Sequence, residues 1–347
     1  MKIWIAGASV SLLLFLALDR GAEGLWARGR GGDPLFITAA GATFPYPIYS
    51  KWFDEYHKLH PDIQINYQAI GSGAGIRQLQ EGTVDFGASD MPMTDEMLAQ
   101  TKIKVLHFPT VLGADVPTYN IPGVSAQLRF TPSALAKLFL GEIQKWNDPE
   151  LVRANPGVRL PAEDVVIVHR SDASGTTFIW TDYLSKVSQE WKSKVGAGTS
   201  VAWPTGLGGK GNQGVSGLVQ QTPYSLGYVE LIYALQNKLS YGIVQNSAGN
   251  FVKPDLSSVT AAAAGVRMPA DFRVSITNPP GAHAYPISSF TYLLIPETIS
   301  SPAKRDAIKA FLRWMLTKGQ TMVESLDYAP LPAQLVTQEE AQIAKIH

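Results

Sequence analysis

The chain has 347 residues and a mass of 37.6 kDa, room for two ordinary domains or one large one. Its 45% hydrophobic and 17% charged residues supply a core and exclude wholesale disorder. Its 29 basic side chains equal its 29 acidic ones, which excludes the basic footprint of a general nucleic-acid binder. Beyond Asp33 the balance is 25 basic against 26 acidic, a net charge of −1. Cysteine is absent. That removes disulfides, thiolate nucleophiles, iron–sulfur clusters, Cys-ligated zinc and the lipid-attachment cysteine of a bacterial lipoprotein.

Residues 1–24 read as an export signal, the alternative being an uncleaved anchor helix: Lys2, then 16 uncharged residues from Ile3 to Leu18. That stretch is shorter than a membrane span. Gly29–Pro34 is a lead-in. Leu35–Thr38 is then a predicted strand, and Gly41 precedes a helix running to about His60. Ile48, Trp52, Tyr56 and Leu59 fall on one face of it. Ile63–Tyr67 alternates as a strand, Gly71–Gly75 opens a short helix ending near Gln80, and Val84–Ser89 is another strand. Two short strands are expected to flank Gly113 within Val111–Asn120. Thr131-Pro132 carries an N-cap and a first-turn proline. Val165–Val168 suits a strand buried on both faces. Ala307, Phe311, Trp314 and Met315 line a late helix that Gly319 is expected to stop. Repeated strand–turn–helix units predict an α/β chain with two lobes. The first lobe is 34–114 with 285–347, and the second is 115–284.

Four strand exits share one pattern, in which a small or polar turn leads into a helix. They are Gly41–Phe44, Gly71–Gly75, Ser89-Asp90 and Arg170–Thr177. Ligands of open α/β sheets bind at the carboxyl ends of strands, where helix N-termini present unpaired N–H groups and partial positive charge. Glycines admit an anion to that backbone, and Ser or Thr adds donors. Each turn alone is more readily an ordinary N-cap or tight turn, and it is their joint occurrence that points to a ligand. Arg170 follows an apolar strand, with Asp172 two residues on. The pair is either a local salt bridge or an oriented fork of donors for an oxyanion.

Asp90 repels an anion unless the ligand carries a proton, because an ionised carboxylate only accepts hydrogen bonds. Phosphate at neutral pH brings such a proton and the sulfate dianion does not. The alternative is that Asp90 caps the helical turn near Thr94–Leu98. Gly206–Asn212 fails the P-loop pattern, since no Ser or Thr follows Lys210, and reads as an irregular loop. Ser174 lacks a nucleophile elbow, and the six histidines show no metal-ligand spacing beyond His57 and His60 on one helix.

Seven motifs together resemble the phosphate-binding receptors of bacterial phosphate ABC importers. They are AGATFPYPIYSKW at 40–52, YQAIGSGAGIRQL at 67–79, VDFGASDMPM at 84–93, HRSDASGTTFIWTDYL at 169–184, WPTGLGGKGNQGV at 203–215, GYVE at 227–230 and DYAPLP at 327–332. The resemblance covers about Ile37 to Leu335. It implies a two-lobed periplasmic-binding-protein fold of type II, with mixed sheets flanked by helices and a ligand cleft between the lobes. It also implies that Thr43, Phe44, Ser72, Asp90, Arg170, Ser174, Gly175 and Thr176 contact phosphate, with Asp172 supporting Arg170. The implied protein is a periplasmic, non-catalytic monomer without lipid anchor, cofactor, metal or nucleic acid, whose partner is a membrane permease. The alternatives are a receptor for sulfate or molybdate, and an exported phosphatase using Ser174 and Arg170. The chain departs from the family pattern at Ala114–Tyr119. There Pro117, which lacks a ladder donor, implies a bent or edge crossover strand.

Overall fold

The computed structural model describes residues 34–347, so the expected export signal lies outside the described residues. Among the described residues no helix is long and apolar enough to cross a membrane. The first segment alternates β1 (Leu35–Gly41), α1 (Tyr46–Leu59), β2 (Ile63–Ala69), α2 (Ser72–Gln80), β3 (Phe86–Ser89) and α3 (Asp95–Ala99). β1 lies between β2 and β3, parallel to both, as strands joined by crossover helices are. Helix α1 buries Ile48, Tyr49, Trp52, Phe53 and Tyr56. Leu59, expected on that face, is 62% exposed, because it is the last helical residue and the chain turns away at His60.

The expected pair of short strands around Gly113 is one continuous strand, β4 (Val105–Asn120), buried along almost its whole length. Gly113 makes no turn. It leaves room for the Phe44 ring, which a Cβ at 113 would meet at 2.5 Å. Pro117 sits inside this strand rather than at an edge. It pairs with Tyr228, and its carbonyl accepts from the Gly242 N–H on the other side.

The chain continues through β5 (Arg129–Phe130), α4 (Pro132–Leu140), α5 (Pro149–Ala154), β6 (Val166–Arg170), α6 (Gly175–Val187), α7 (Gln189–Lys194), β7 (Leu207–Gly209), α8 (Gly211–Gln221), β8 (Ser225–Glu230) and α9 (Leu231–Gln236). Three short strands, β9 (Ser240–Tyr241), β10 (Ile243–Gln245) and β11 (Phe251–Val252), precede α10 (Leu256–Ala263). Thr131 caps α4 by accepting from the Ala134 N–H at 3.1 Å, and Gly141 ends it in the left-handed region. Strand β12 (Ser288–Pro296) then leads to α11 (Pro302–Thr317) and α12 (Ala333–Ile343). Gly319 does not stop α11 by a left-handed turn. It opens a 3-10 segment, Gly319–Leu326, where its carbonyl accepts from Trp52 Nε1 and a Cβ would press on that indole.

The main sheet runs β2-β1-β3-β12-β4-β8-β6-β7, with β9 alongside β4; β11-β10-β5 form a smaller one. Pairing is mixed, as expected. β6 lies parallel to β7 and β8, whereas β12 lies antiparallel to β3 and β4, and β4 antiparallel to β8. Along β4 the partner changes at one point: Ala114 pairs with Ser288 of β12, and Asp115 pairs with Glu230 of β8.

Close backbone approach seats α2 against β1. A Cβ at Gly75 would stand 2.5 Å from Gly41 Cα and 2.6 Å from the Ala40 carbonyl oxygen. Neither neighbour is a flexible side-chain tip. Gly75→Ala is therefore expected to lower stability by about 1–3 kcal/mol in a urea titration, whereas Gly217→Ala, with open space at its Cβ and no left-handed backbone, lacks this clash.

Candidate functional site

Sequence reasoning singled out four strand exits, and the fold brings them into one buried cluster. The first exit follows β1. Its backbone direction is set by three tyrosine hydroxyls: Tyr67 donates to the Ala42 carbonyl at 2.7 Å, Tyr233 to that of Thr43, and Tyr328 to that of Phe44 at 2.6 Å. In a trans peptide the C=O and the following N–H point opposite ways. Anchoring the carbonyls of Ala42 and Thr43 therefore turns the N–H groups of Thr43 and Phe44 to the other side.

The second exit is the start of α2, where Gly71 has φ +97°. A Cβ there would lie 2.6 Å from Asp172 Oδ2. The third exit, after β3, carries Asp90, which is 1% exposed. Thr94, and not Asp90, caps α3 by accepting from the Met97 N–H at 3.2 Å. Asp90 instead accepts from the Thr291 hydroxyl at 2.8 Å and from the Ser72 hydroxyl at 3.4 Å, and its N–H donates to Ser72 Oγ at 3.2 Å. Burial pushes the Asp90 carboxyl up to about 7, against the lowering influence of the Thr291 hydroxyl, Arg170 and Ser72.

The fourth exit follows β6. Arg170 is buried, and Asp172 holds it in a two-point fork, accepting from Nε at 2.8 Å and from Nη2 at 2.6 Å. Nη1 donates to Thr176 Oγ1 at 3.2 Å. Three of the five guanidinium N–H bonds are thus engaged within the protein, which leaves one on each terminal nitrogen. Burial works against the charge on Asp172, but Arg170 and the Gly211 N–H outweigh it and hold the carboxyl below its usual range. Ser174 caps α6 by accepting from the Thr177 N–H at 3.1 Å. Among the described residues, the N–H groups of Thr43, Phe44, Ser72, Gly175 and Thr176 have no protein acceptor.

The exits touch one another. The Gly73 N–H donates to the Ala173 carbonyl at 3.0 Å. A Cβ on Gly175 would fall 2.4 Å from both Asp90 Oδ2 and Ser72 Oγ, so only glycine allows that approach. Thr43, Phe44, Ser72, Asp90, Arg170, Asp172, Ser174, Gly175 and Thr176 thus form one cluster, as the sequence implied. His169, next to Arg170, turns away and stacks on Trp203 at 4.8 Å.

Residues the sequence reading missed complete the cluster. Gly206–Asn212 is not an irregular loop. It forms β7 and the start of α8, a fifth exit of the same kind, and strand–glycine–helix spacing was the signal that could have found it. Its Asn212 donates through Nδ2 to Thr43 Oγ1 at 2.9 Å and to Thr176 Oγ1 at 3.2 Å. Asp115 and Glu230 are also fully buried, and neither Asp115 oxygen nor Glu230 Oε1 has a partner among the described residues. Burial pushes both carboxyls far up, and nearby acidic groups add to this.

Residues 26–318 match the PBP superfamily domain. The phosphate-binding protein PstS of Xylella fastidiosa is 48% identical over 308 residues, covering 88% of this chain and 84% of the relative. That of Pasteurella multocida is 46% identical over 309 residues, covering 88% and 89%. The solved phosphate-binding protein of Stenotrophomonas maltophilia is 16% identical and shares the fold, with a TM-score of 0.70 over 88% of this chain and 93% of that one.

The Asp90 carboxyl makes stability depend on pH. Its folded-state value of about 7 lies above the unfolded value near 4, so the folded protein binds the extra proton between them. The stability it contributes is fully present below pH 4 and lost as pH rises through 7. Ligand-free Asp90→Asn is expected to gain on the unsubstituted protein by roughly 3–4 kcal/mol between pH 4 and pH 8 in denaturant unfolding, and a pH-independent difference would contradict the burial argument.

The matched domain, and relatives near half identity along most of their length, settle the lineage: the chain belongs to the PBP superfamily, among the PstS phosphate-binding proteins.

Proposed function

We propose that this protein binds inorganic phosphate in the periplasm and delivers it to the membrane permease of an ABC-type importer. One observation carries the reading: a buried array of donors, formed by strand-exit N–H groups, hydroxyls and Arg170, also contains a carboxylate, Asp90. Donors alone suit any oxyanion. A carboxylate among them suits an anion that brings its own proton, as monohydrogen and dihydrogen phosphate do. Thr43, Phe44, Ser72, Arg170, Ser174, Gly175 and Thr176 donate to the phosphate oxygens, Asp90 accepts the phosphate proton, and Asp172 orients Arg170. The names of the relatives agree with this reading.

The two lobes are 34–114 with 285–347, and 115–284. The partner change along β4 at Ala114/Asp115 supports that division, as does the return of the chain into β12. Thr43, Ser72 and Asp90 come from the first lobe and Arg170, Ser174 and Thr176 from the second, so closing the lobes assembles the site and excludes water. Fixed dipoles then replace the hydration shell of the anion. A receptor role needs no catalysis, and Ser174 agrees: its oxygen caps α6, while the neighbouring His169 ring faces Trp203. The receptor works as an exported monomer without a lipid anchor, and its partner is the permease.

Calorimetric titration tests the ligand. Phosphate is expected to bind at pH 8 at least about a hundredfold more tightly than sulfate, because sulfate leaves ionised Asp90 repelled and without a donor. Sulfate binding is expected to strengthen as pH falls through 7 and Asp90 takes up a proton. In Asp90→Asn the discrimination shrinks and the sulfate trend disappears. Equal affinity for the two anions at pH 8 would contradict the assignment, as would unchanged sulfate rejection in Asp90→Asn.

A further inference from the structure

The hydrogen bonds around Asn212 assign this residue a task of its own: we infer that it positions Thr43 and Thr176, turning their hydroxyl protons toward the bound anion. The inference rests on the phosphate reading above and deepens it. A hydroxyl has one proton and two acceptor lone pairs. Thr43 Oγ1 accepts from Asn212 twice, from Nδ2 at 2.9 Å and from the backbone N–H at 3.3 Å. Thr176 Oγ1 accepts from Arg170 Nη1 and from Asn212 Nδ2, each at 3.2 Å. Both lone pairs of each oxygen are engaged, so the only capacity left to either hydroxyl is to donate.

The amide itself has one possible sense. Asn212 Oδ1 accepts from the Glu230 N–H at 3.0 Å, so the amino group, with its two protons, faces the two threonines. Guanidinium and backbone N–H groups cannot accept, so no alternative proton arrangement exists on that side. Thr43 is 3% exposed and Thr176 fully buried. Among the described residues neither hydroxyl proton has a protein acceptor, and leaving a buried donor unsatisfied is costly. An unprotonated phosphate oxygen supplies the acceptor. The site thereby gains a direction: Asp90 requires a ligand oxygen that carries a proton, while the two threonines require oxygens that do not. Monohydrogen phosphate meets both demands in one orientation.

A double-mutant cycle read by calorimetric phosphate titration tests this. Asn212→Ala releases the lone pairs and lets the hydroxyls rotate, so affinity falls at least about tenfold. In a Thr43→Val, Thr176→Val background the same substitution changes affinity less than about twofold, because nothing remains to be oriented. An equal loss in both backgrounds would show that Asn212 only holds the local fold, and would overturn the inference. Asn212→Asp keeps an acceptor for the Glu230 N–H but, ionised, cannot donate. It weakens phosphate binding at least as much as Asn212→Ala, and wild-type affinity in it overturns the inference independently. An unsubstituted protein that binds no phosphate overturns the functional reading itself. Tight binding by the unsubstituted protein together with unaffected Asn212 variants overturns the orientation role alone.

Discussion

Asp172 grips Arg170 through two hydrogen bonds, and that fork governs the rest of the site. A guanidinium taken out of water with no partner is strongly unfavourable, and a bidentate carboxylate offsets much of that penalty while fixing the plane of the fork. The same carboxylate accepts from the Gly211 N–H at 2.9 Å and closes against Gly71, so one side chain ties three turns together. The N–H bonds that Asp172 leaves free are aimed by the ones it holds. Because the pair is internally neutral, it offers directed donors without a large positive field.

Neutrality extends outward from that pair. Asp90, Asp115 and Glu230 are buried nearby, and burial pushes all three carboxyls up, toward the uncharged form. Were they all ionised, the cluster would repel any anion. With Asp115 and Glu230 holding their protons, Asp90 is the carboxylate that faces the cluster, and the groups around it are strand-exit N–H groups, hydroxyls and two guanidinium N–H bonds. The whole chain is balanced in the same way, with 29 basic and 29 acidic side chains. Recognition is local and directional, so ionic strength acts on it less than on a surface governed by long-range charge.

Much of this was legible in the sequence because the pattern is local. A strand, a small turn and a helix start leave their mark within a dozen residues, and Thr43, Ser72, Arg170 and Ser174 stand where such turns require them. What escaped is what depends on distant pairing. Tyr67, Tyr233 and Tyr328 carry no local mark of their role: their hydroxyls aim the backbone of residues 42–44 from 25, 190 and 284 positions away. Thr291 reaches Asp90 from β12, the neighbouring strand in the sheet but 201 positions away in the chain. Asn212 lay in a glycine-rich run read as an irregular loop, although its strand–helix spacing matched the other exits. Gly113 suggested a break in β4, when its purpose is room for Phe44, a contact no local pattern records.

These separate turns are proposed to serve one dehydrated, protonated anion. Crystals grown with phosphate test this most directly. A single phosphate is expected within hydrogen-bonding distance of Thr43, Ser72, Asp90, Arg170 and Thr176, with one of its oxygens close enough to Asp90 to share a proton. A phosphate seated elsewhere would contradict it, as would one whose nearest approach to Asp90 lies beyond hydrogen-bonding distance.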